Sequence, residues 1–206
     1  MPQDTWHLLR MTRDLLLALV GFAFATSVTP GPNNMMLLAS GVNFGFRRTG
    51  PHMLGVSLGH ALMVFVVGIG LAQVFQRYPA LQTALAVVSV IYMLWLAWKI
   101  AHAAAPEEGR AAGQPFSFFQ AAAFQWVNPK AWAMALTAVT VYAGGTGWGA
   151  MALVALIFCA VNLPSVALWA WAGQGLRRWL TTNRRLVIFN RGMALLLVAS
   201  LWPVLA

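Results

Sequence analysis

Acidic side chains are nearly missing from this 206-residue chain, in which four Asp and Glu stand against thirteen Lys and Arg. No Asp or Glu lies between residues 15 and 106, or after 108. That gap excludes carboxylate proton relays and carboxylate-lined sodium sites from the apolar parts of the chain. Charge of either sign is scarce, at 8% of residues, whereas a soluble domain carries roughly 25%. A soluble surface made from so few charges would be too apolar to stay dissolved, and lipid is the solvent that tolerates it. Cysteine is reduced to Cys159 inside an apolar run, which excludes a disulfide framework and a Cys-rich metal site. Neither a metal nor a cofactor is expected.

What the chain does contain is 60% hydrophobic, with a net charge of +9. In a soluble protein that charge would suggest nucleic acid. Here the basic residues stand at the ends of apolar runs, where anionic headgroups and the positive-inside bias act on them. The expected partner is the lipid bilayer, not nucleic acid.

A bilayer core needs about 20 apolar residues per helix. Six runs qualify, at about 15–40, 51–75, 79–98, 116–143, 148–173 and 186–205, and the fourth contains one charge, Lys130. The expected fold is an all-α integral membrane protein of six transmembrane helices in a single domain, residues 1–206. Ala23-Phe24-Ala25 after Arg10 and Arg13 imitates a signal-peptide cleavage site. The apolar character resumes after Pro32 and continues to Ala39, so the segment reads as a span. Nine Lys and Arg fall in the loops after runs one, three and five, against Arg10, Arg13 and Arg77 on the other side. The bias places both termini outside the cytoplasm, although Arg10 and Arg13 argue the other way. Tyr78, Trp95, Trp98, Trp148 and Trp179 lie near run ends, where amphipathic rings favour the interface.

Residues 99–115 are the long polar stretch and read as a cytoplasmic linker between pseudo-repeats at about 1–98 and 116–206. Three helices per half is an odd number, so a duplicated half must lie inverted in the membrane. Secondary transporters often have this design, with Gly/Pro-interrupted helices at matching positions marking the site. Helix one carries Thr29-Pro30-Gly31-Pro32-Asn33-Asn34 and helix four carries Asn128-Pro129-Lys130.

A proline inside a helix removes a donor and clashes with the preceding turn. The freed backbone groups must find partners, because lipid offers none, and Thr26, Ser27 and Thr29 are the expected local ones. New half-helices would start at Pro32 and Pro129, with N-termini that attract a carboxylate. Asn33 and Asn34 add amide groups and Lys130 a full positive charge. Freed carbonyls would suit an ammonium group. The candidate substrate-binding residues are therefore Pro30, Gly31, Pro32, Asn33, Asn34, Asn128, Pro129 and Lys130. The plainer alternatives are packing kinks at the prolines, and a helix four running from Ala131 to Ala150 that leaves Lys130 at the interface.

Asn162, near Pro164 in helix five, either faces the same cavity or makes an interhelical hydrogen bond. His60 in helix two is a candidate proton-coupling group, with a hydrogen-bonded packing histidine as the alternative. His52 and His102 read as solvated. Gly41/Gly45, Gly55/Gly59 and Gly145/Gly149 have the small-xxx-small spacing of helix packing, which permits a homodimer without demanding one. Gly55-Val56-Ser57-Leu58-Gly59 matches a hydrolase pattern, but inside an apolar helix and without a carboxylate it lacks the required context, and no enzymatic activity is expected.

Several of these motifs together resemble the LysE/RhtB family of amino-acid exporters. They are Thr29-Pro30-Gly31-Pro32-Asn33-Asn34, Gly45-Phe46-Arg47-Arg48, residues 92–99 (YMLWLAWK), and residues 124–132 (FQWVNPKAW). The resemblance covers nearly the whole chain, in order and spacing. It implies a multi-pass protein of the bacterial inner membrane that exports amino acids or close derivatives, driven by the proton motive force. The Pro-Gly-Pro-Asn-Asn form is most similar to the cysteine and O-acetylserine exporter branch. Many members have an Asp in helix five where this chain has Asn162, which puts carboxylate-based proton coupling in doubt. A small-solute channel and a non-transporting membrane scaffold are the rival classes.

Overall fold

The structure, a computed structural model, describes residues 13–102, 114–145 and 147–202. The linker features at 103–113, Arg10 before the first run and the end of the last run lie outside the described residues. Those described fold into nine α-helices, with no strand among them.

α1 (Arg13–Val28) and α2 (Pro32–Phe44) together form the first apolar run, bent by 53° at Thr29–Gly31. α3 (Gly50–Val66) continues through a π turn (Val67–Leu71) into α4 (Ala72–Arg77). Gly70 in that turn has φ 148°, a conformation that side chains resist. Pro79, which suits a first helical position, opens α5 (Pro79–Ala101).

The fourth run is broken like the first. It comprises α6 (Phe118–Phe124), a 3₁₀ turn (Gln125–Val127) and α7 (Pro129–Val141). α6 begins with a capping box between Ser117 and Gln120, whose S-x-x-Q spacing is visible in the sequence. α7 ends at Val141, so the alternative of a helix from Ala131 to Ala150 does not hold. The glycines between Val141 and Trp148 form a connection, with Gly144 at φ 64°. α8 (Trp148–Leu176) carries Pro164 inside it, and α9 (Asn183–Ala199) closes the order.

Three helices are long and apolar enough to cross a membrane: Gly50–Arg77, Pro79–Ala101 and Trp148–Leu176. The bent α1–α2 pair makes a fourth if it is one span. The described residues are thus all helix, turn and connection, with several helices fit to span a membrane. All five predicted interface aromatics are exposed.

α8 is the central post. It packs against α1, α2 and α3, while α3 packs on α6 and α5 on α9. Close approach rests on glycines. A Cβ at Gly41 or Gly173 would collide with backbone across the α2–α8 contact, and one at Gly55 or Gly59 with α6. Small residues let membrane helices approach where no hydrophobic effect drives them together. Gly41, Gly55 and Gly59 therefore serve packing within one chain. Gly45 instead caps α2 with φ 80°, and Gly145 lies in the α7–α8 connection. Met63, Val67, Ala135, Val154 and Phe158 fill the main core between α3, α7 and α8.

Candidate functional site

At Thr29–Gly31 the chain stops being helical, and the last carbonyls of α1 lose their intrahelical donors. The Thr29 hydroxyl donates to Thr26 O (3.1 Å). The Asn34 side-chain amide donates to Ser27 O (2.8 Å) and Thr29 O (2.7 Å). Trp169 Nε1 on α8 donates to Val28 O (3.1 Å). Lys130 Nζ donates to Thr29 O (2.8 Å), to Thr29 Oγ1 (2.9 Å) and more distantly to Pro30 O (3.4 Å). Each freed carbonyl from residue 26 to 30 has a donor, as backbone in an apolar setting requires. Of the expected local partners Thr26, Ser27 and Thr29, only the Thr29 hydroxyl answers a freed carbonyl. Thr26 Oγ1 bonds Phe22 O (2.6 Å), one turn earlier, and remote side chains supply the rest.

α2 starts at Pro32 after an extended Gly31 (φ −179°), with no side chain capping it. Its first amides thus keep the partial positive charge of an open helix N-terminus. α7 starts differently. Asn128 Oδ1 accepts from Lys130 N (3.1 Å), so this N-terminus is capped. Asn128 is buried and acts as that cap.

Side-chain amides join the two breaks. Asn33 Nδ2 donates to Gln125 Oε1 (2.8 Å) and Gln125 Nε2 donates to Asn33 Oδ1 (3.1 Å). Gln125, fully buried in the 3₁₀ turn, is a site residue that sequence reasoning missed. Its only prior signal was a polar side chain four residues before Pro129. Asn162 does both things weighed for it. It accepts from Ser57 Oγ (2.9 Å), donates to Ser27 Oγ (3.1 Å), and borders the central cavity. Ser57 of the hydrolase-like pattern is spent in this chain of bonds within a regular helix.

Gly31, Asn33, Asn34, Asn128, Lys130 and Asn162 all line one small cavity of about 20 Å³. His60 lines it too, buried, edge-on to Phe158 (5.3 Å between ring centroids), with neither ring nitrogen hydrogen-bonded among the described residues. Pro30 contributes its carbonyl and Pro32 the start of α2. Pro129 lines instead a separate cavity of about 370 Å³ among α4, α5 and α7. His52 is not solvated as expected. It is buried against Phe116 because α3 begins beneath the segment leading into α6. His102 is exposed, as read.

Lys130 is half-buried and meets only neutral oxygens. The only acidic side chain among the described residues is Asp14, exposed at the start of α1. A charge deep in a bilayer costs about 3 kcal/mol on insertion scales. Such a residue without a carboxylate partner is a candidate for ligand binding. No group of His, Cys, Asp and Glu able to hold a metal occurs among the described residues.

Residues 24–200 match the family model of the LysE type translocator. The chain belongs to the LysE type translocator family. It is 34% identical over 195 residues to cysteine/O-acetylserine efflux proteins of Escherichia coli K12 and Shigella sonnei, covering 91% of this chain and 96% of each relative. No solved structure matches. LysE-type proteins are membrane transporters and not enzymes, and the resemblance read from the Pro-Gly-Pro-Asn-Asn and Asn-Pro-Lys motifs holds at the level of both family and branch.

Proposed function

We propose that the chain is a secondary transporter that exports amino acids or close derivatives across the cytoplasmic membrane by alternating access, with cysteine and O-acetylserine as the first substrates to test. The relatives named as cysteine/O-acetylserine efflux proteins support the substrate class. The observation that carries the mechanism is the meeting of two proline-broken helices around one cavity that holds Lys130 and His60. In this reading the open N-terminus of α2 and Lys130 hold the substrate carboxylate, and the carbonyl end of α1 holds its ammonium. Pro30, Gly31, Pro32, Asn33, Asn34 and Asn162 shape the site, Asn128 and Pro129 aim Lys130, and His60 carries the coupled proton.

The packing supports two inverted three-helix repeats, at about 1–98 and 116–206, which together make six spans; the Lys and Arg bias is what favours both termini being non-cytoplasmic. Broken helix, long helix and single helix recur in that order. Helix two lies on helix five and helix three on helix six, while helix one meets five as four meets two. An inverted duplication generates such reciprocal pairs, and the two halves would rock about the site between them.

The test is efflux from proteoliposomes loaded with labelled cysteine, O-acetylserine and a mixture of other amino acids, with and without a pH gradient. Saturable, selective loss that responds to the gradient is expected. Fast, unsaturable flux would make the protein a channel. No flux from folded, inserted protein would remove the exporter reading.

A further inference from the structure

We propose that Lys130 is an intramolecular stand-in for the ligand's amino group: its Nζ fills an ammonium subsite made by Thr29 O, Thr29 Oγ1 and Pro30 O, and a ligand's own ammonium replaces it on binding. The choice of an amino-acid ligand rests on the exporter reading above; the subsite itself rests on geometry.

Three neutral oxygens surround Nζ at 2.8, 2.9 and 3.4 Å. An ammonium has three protons to give and no acceptor, so this arrangement suits a primary amine. The oxygens stand at the carbonyl end of α1, which carries a partial negative charge. The other donors around the break are fixed. Asn34 is held in the first turn of α2, Trp169 is held on α8, and the Thr29 hydroxyl belongs to the break itself. Lys130 alone reaches in on a flexible four-carbon stem, and it alone carries charge.

Gly31 makes the reach possible. A Cβ there would stand 2.7 Å from Lys130 Cδ and 3.1 Å from Nζ. Because Gly31 is extended, with φ −179°, any residue could adopt its backbone conformation. What the position needs is space. The adjoining cavity, at about 20 Å³, has room for one water and not for an amino acid. Withdrawal of Lys130 would free both the oxygens and the volume its stem occupies.

The exchange discriminates between ligands. A ligand with ammonium and carboxylate replaces one cation by another and gives the displaced Lys130 an anion to meet. An amine without a carboxylate leaves two cations together in a site of low polarity, which is costly. An N-acylated amino acid has no ammonium to offer. The lysine thus enforces selection for the whole zwitterion.

The experiment is equilibrium binding of labelled cysteine, cysteamine and N-acetylcysteine to the purified full chain in nanodiscs, as wild type, Lys130→Met and Lys130→Gln. Wild type should bind cysteine at least about tenfold more tightly than either analogue. In Lys130→Met, cysteamine should gain about tenfold or more, cysteine should weaken, and N-acetylcysteine should stay weak. Lys130→Gln, whose amide can still bond the carbonyls, should show a smaller gain of about threefold and serves if the methionine variant does not fold. Cysteamine bound no better by the folded variant than by wild type would overturn the proposal. So would N-acetylcysteine bound as tightly as cysteine by wild type. Absence of cysteine and O-acetylserine efflux from wild-type proteoliposomes, with the cysteamine gain intact, would remove the exporter reading and leave the subsite standing.

Discussion

At the break between α1 and α2 the chain places a glycine before the new helix, whereas at the break between α6 and α7 it places an asparagine. At the second break the backbone is answered from within a few residues. Asn128 caps Lys130 N two residues on, and Trp132 Nε1 answers Trp126 O (2.9 Å) from six residues away. The first break depends on distant parts of the chain. Lys130 lies 101 residues from Thr29, and Trp169 lies 141 residues from Val28. Equivalent proline signals have thus produced a rigid mount at one break and an open receptor at the other. The mount holds the cation, and the receptor offers carbonyls and uncapped amides. A broken helix becomes a site when its loose ends are left for other groups to satisfy, and it becomes structure when its own neighbours satisfy them.

Substitutions can test that asymmetry. The largest effect is expected from Lys130→Met, which should lower efflux by about a hundredfold with the protein still inserted; an unchanged rate would end the role given to this residue. Gly31→Ala should push Lys130 off the carbonyls and lower efflux by about tenfold, read in the same proteoliposome assay, while leaving thermal stability close to wild type. Asn128→Ala should cost about 1 kcal/mol in stability, measured by reversible unfolding in detergent, because it removes a cap that the first break does not have. The smallest effect is expected from the Asn33–Gln125 pair. A double-mutant cycle to alanine should give a coupling of about 0.6 kcal/mol, the usual value for interhelical hydrogen bonds in membranes. A coupling near zero would mean that the two breaks are not joined through these amides.

The breaks themselves were legible because proline acts locally, through a missing donor and a clash that depend on no distant partner. The run boundaries were legible for a similar reason, since Pro79 and the glycines before Trp148 act where they stand. The identities of the donors were not. Trp169 and Gln125 reach the site only after α8 and the 3₁₀ turn have packed, and nothing in their immediate sequence distinguishes them from other buried polar residues. The asymmetry was hidden as well. Both prolines announce a new helix N-terminus, but whether Asn128 turns back to cap it, and whether Lys130 points at carbonyls, depends on side-chain directions that the motif does not carry. His52 was misread because its proximity to a helix start suggested water, while the segment before α6 covers it.

The scarcity of acidic groups around Lys130 has an electrical consequence. With Asp14 as the only described carboxylate, nothing nearby cancels the lysine's charge, and a zwitterionic cargo adds none. Any rocking that carries this residue through part of the bilayer moves net charge through the membrane field, at about 2.3 kcal/mol per full charge per 100 mV. Each stroke would then show a transient charge movement, opposite in sign on the return and summing to zero over a full cycle with a neutral passenger. A potential negative inside would resist the outward stroke and speed the return of the empty carrier.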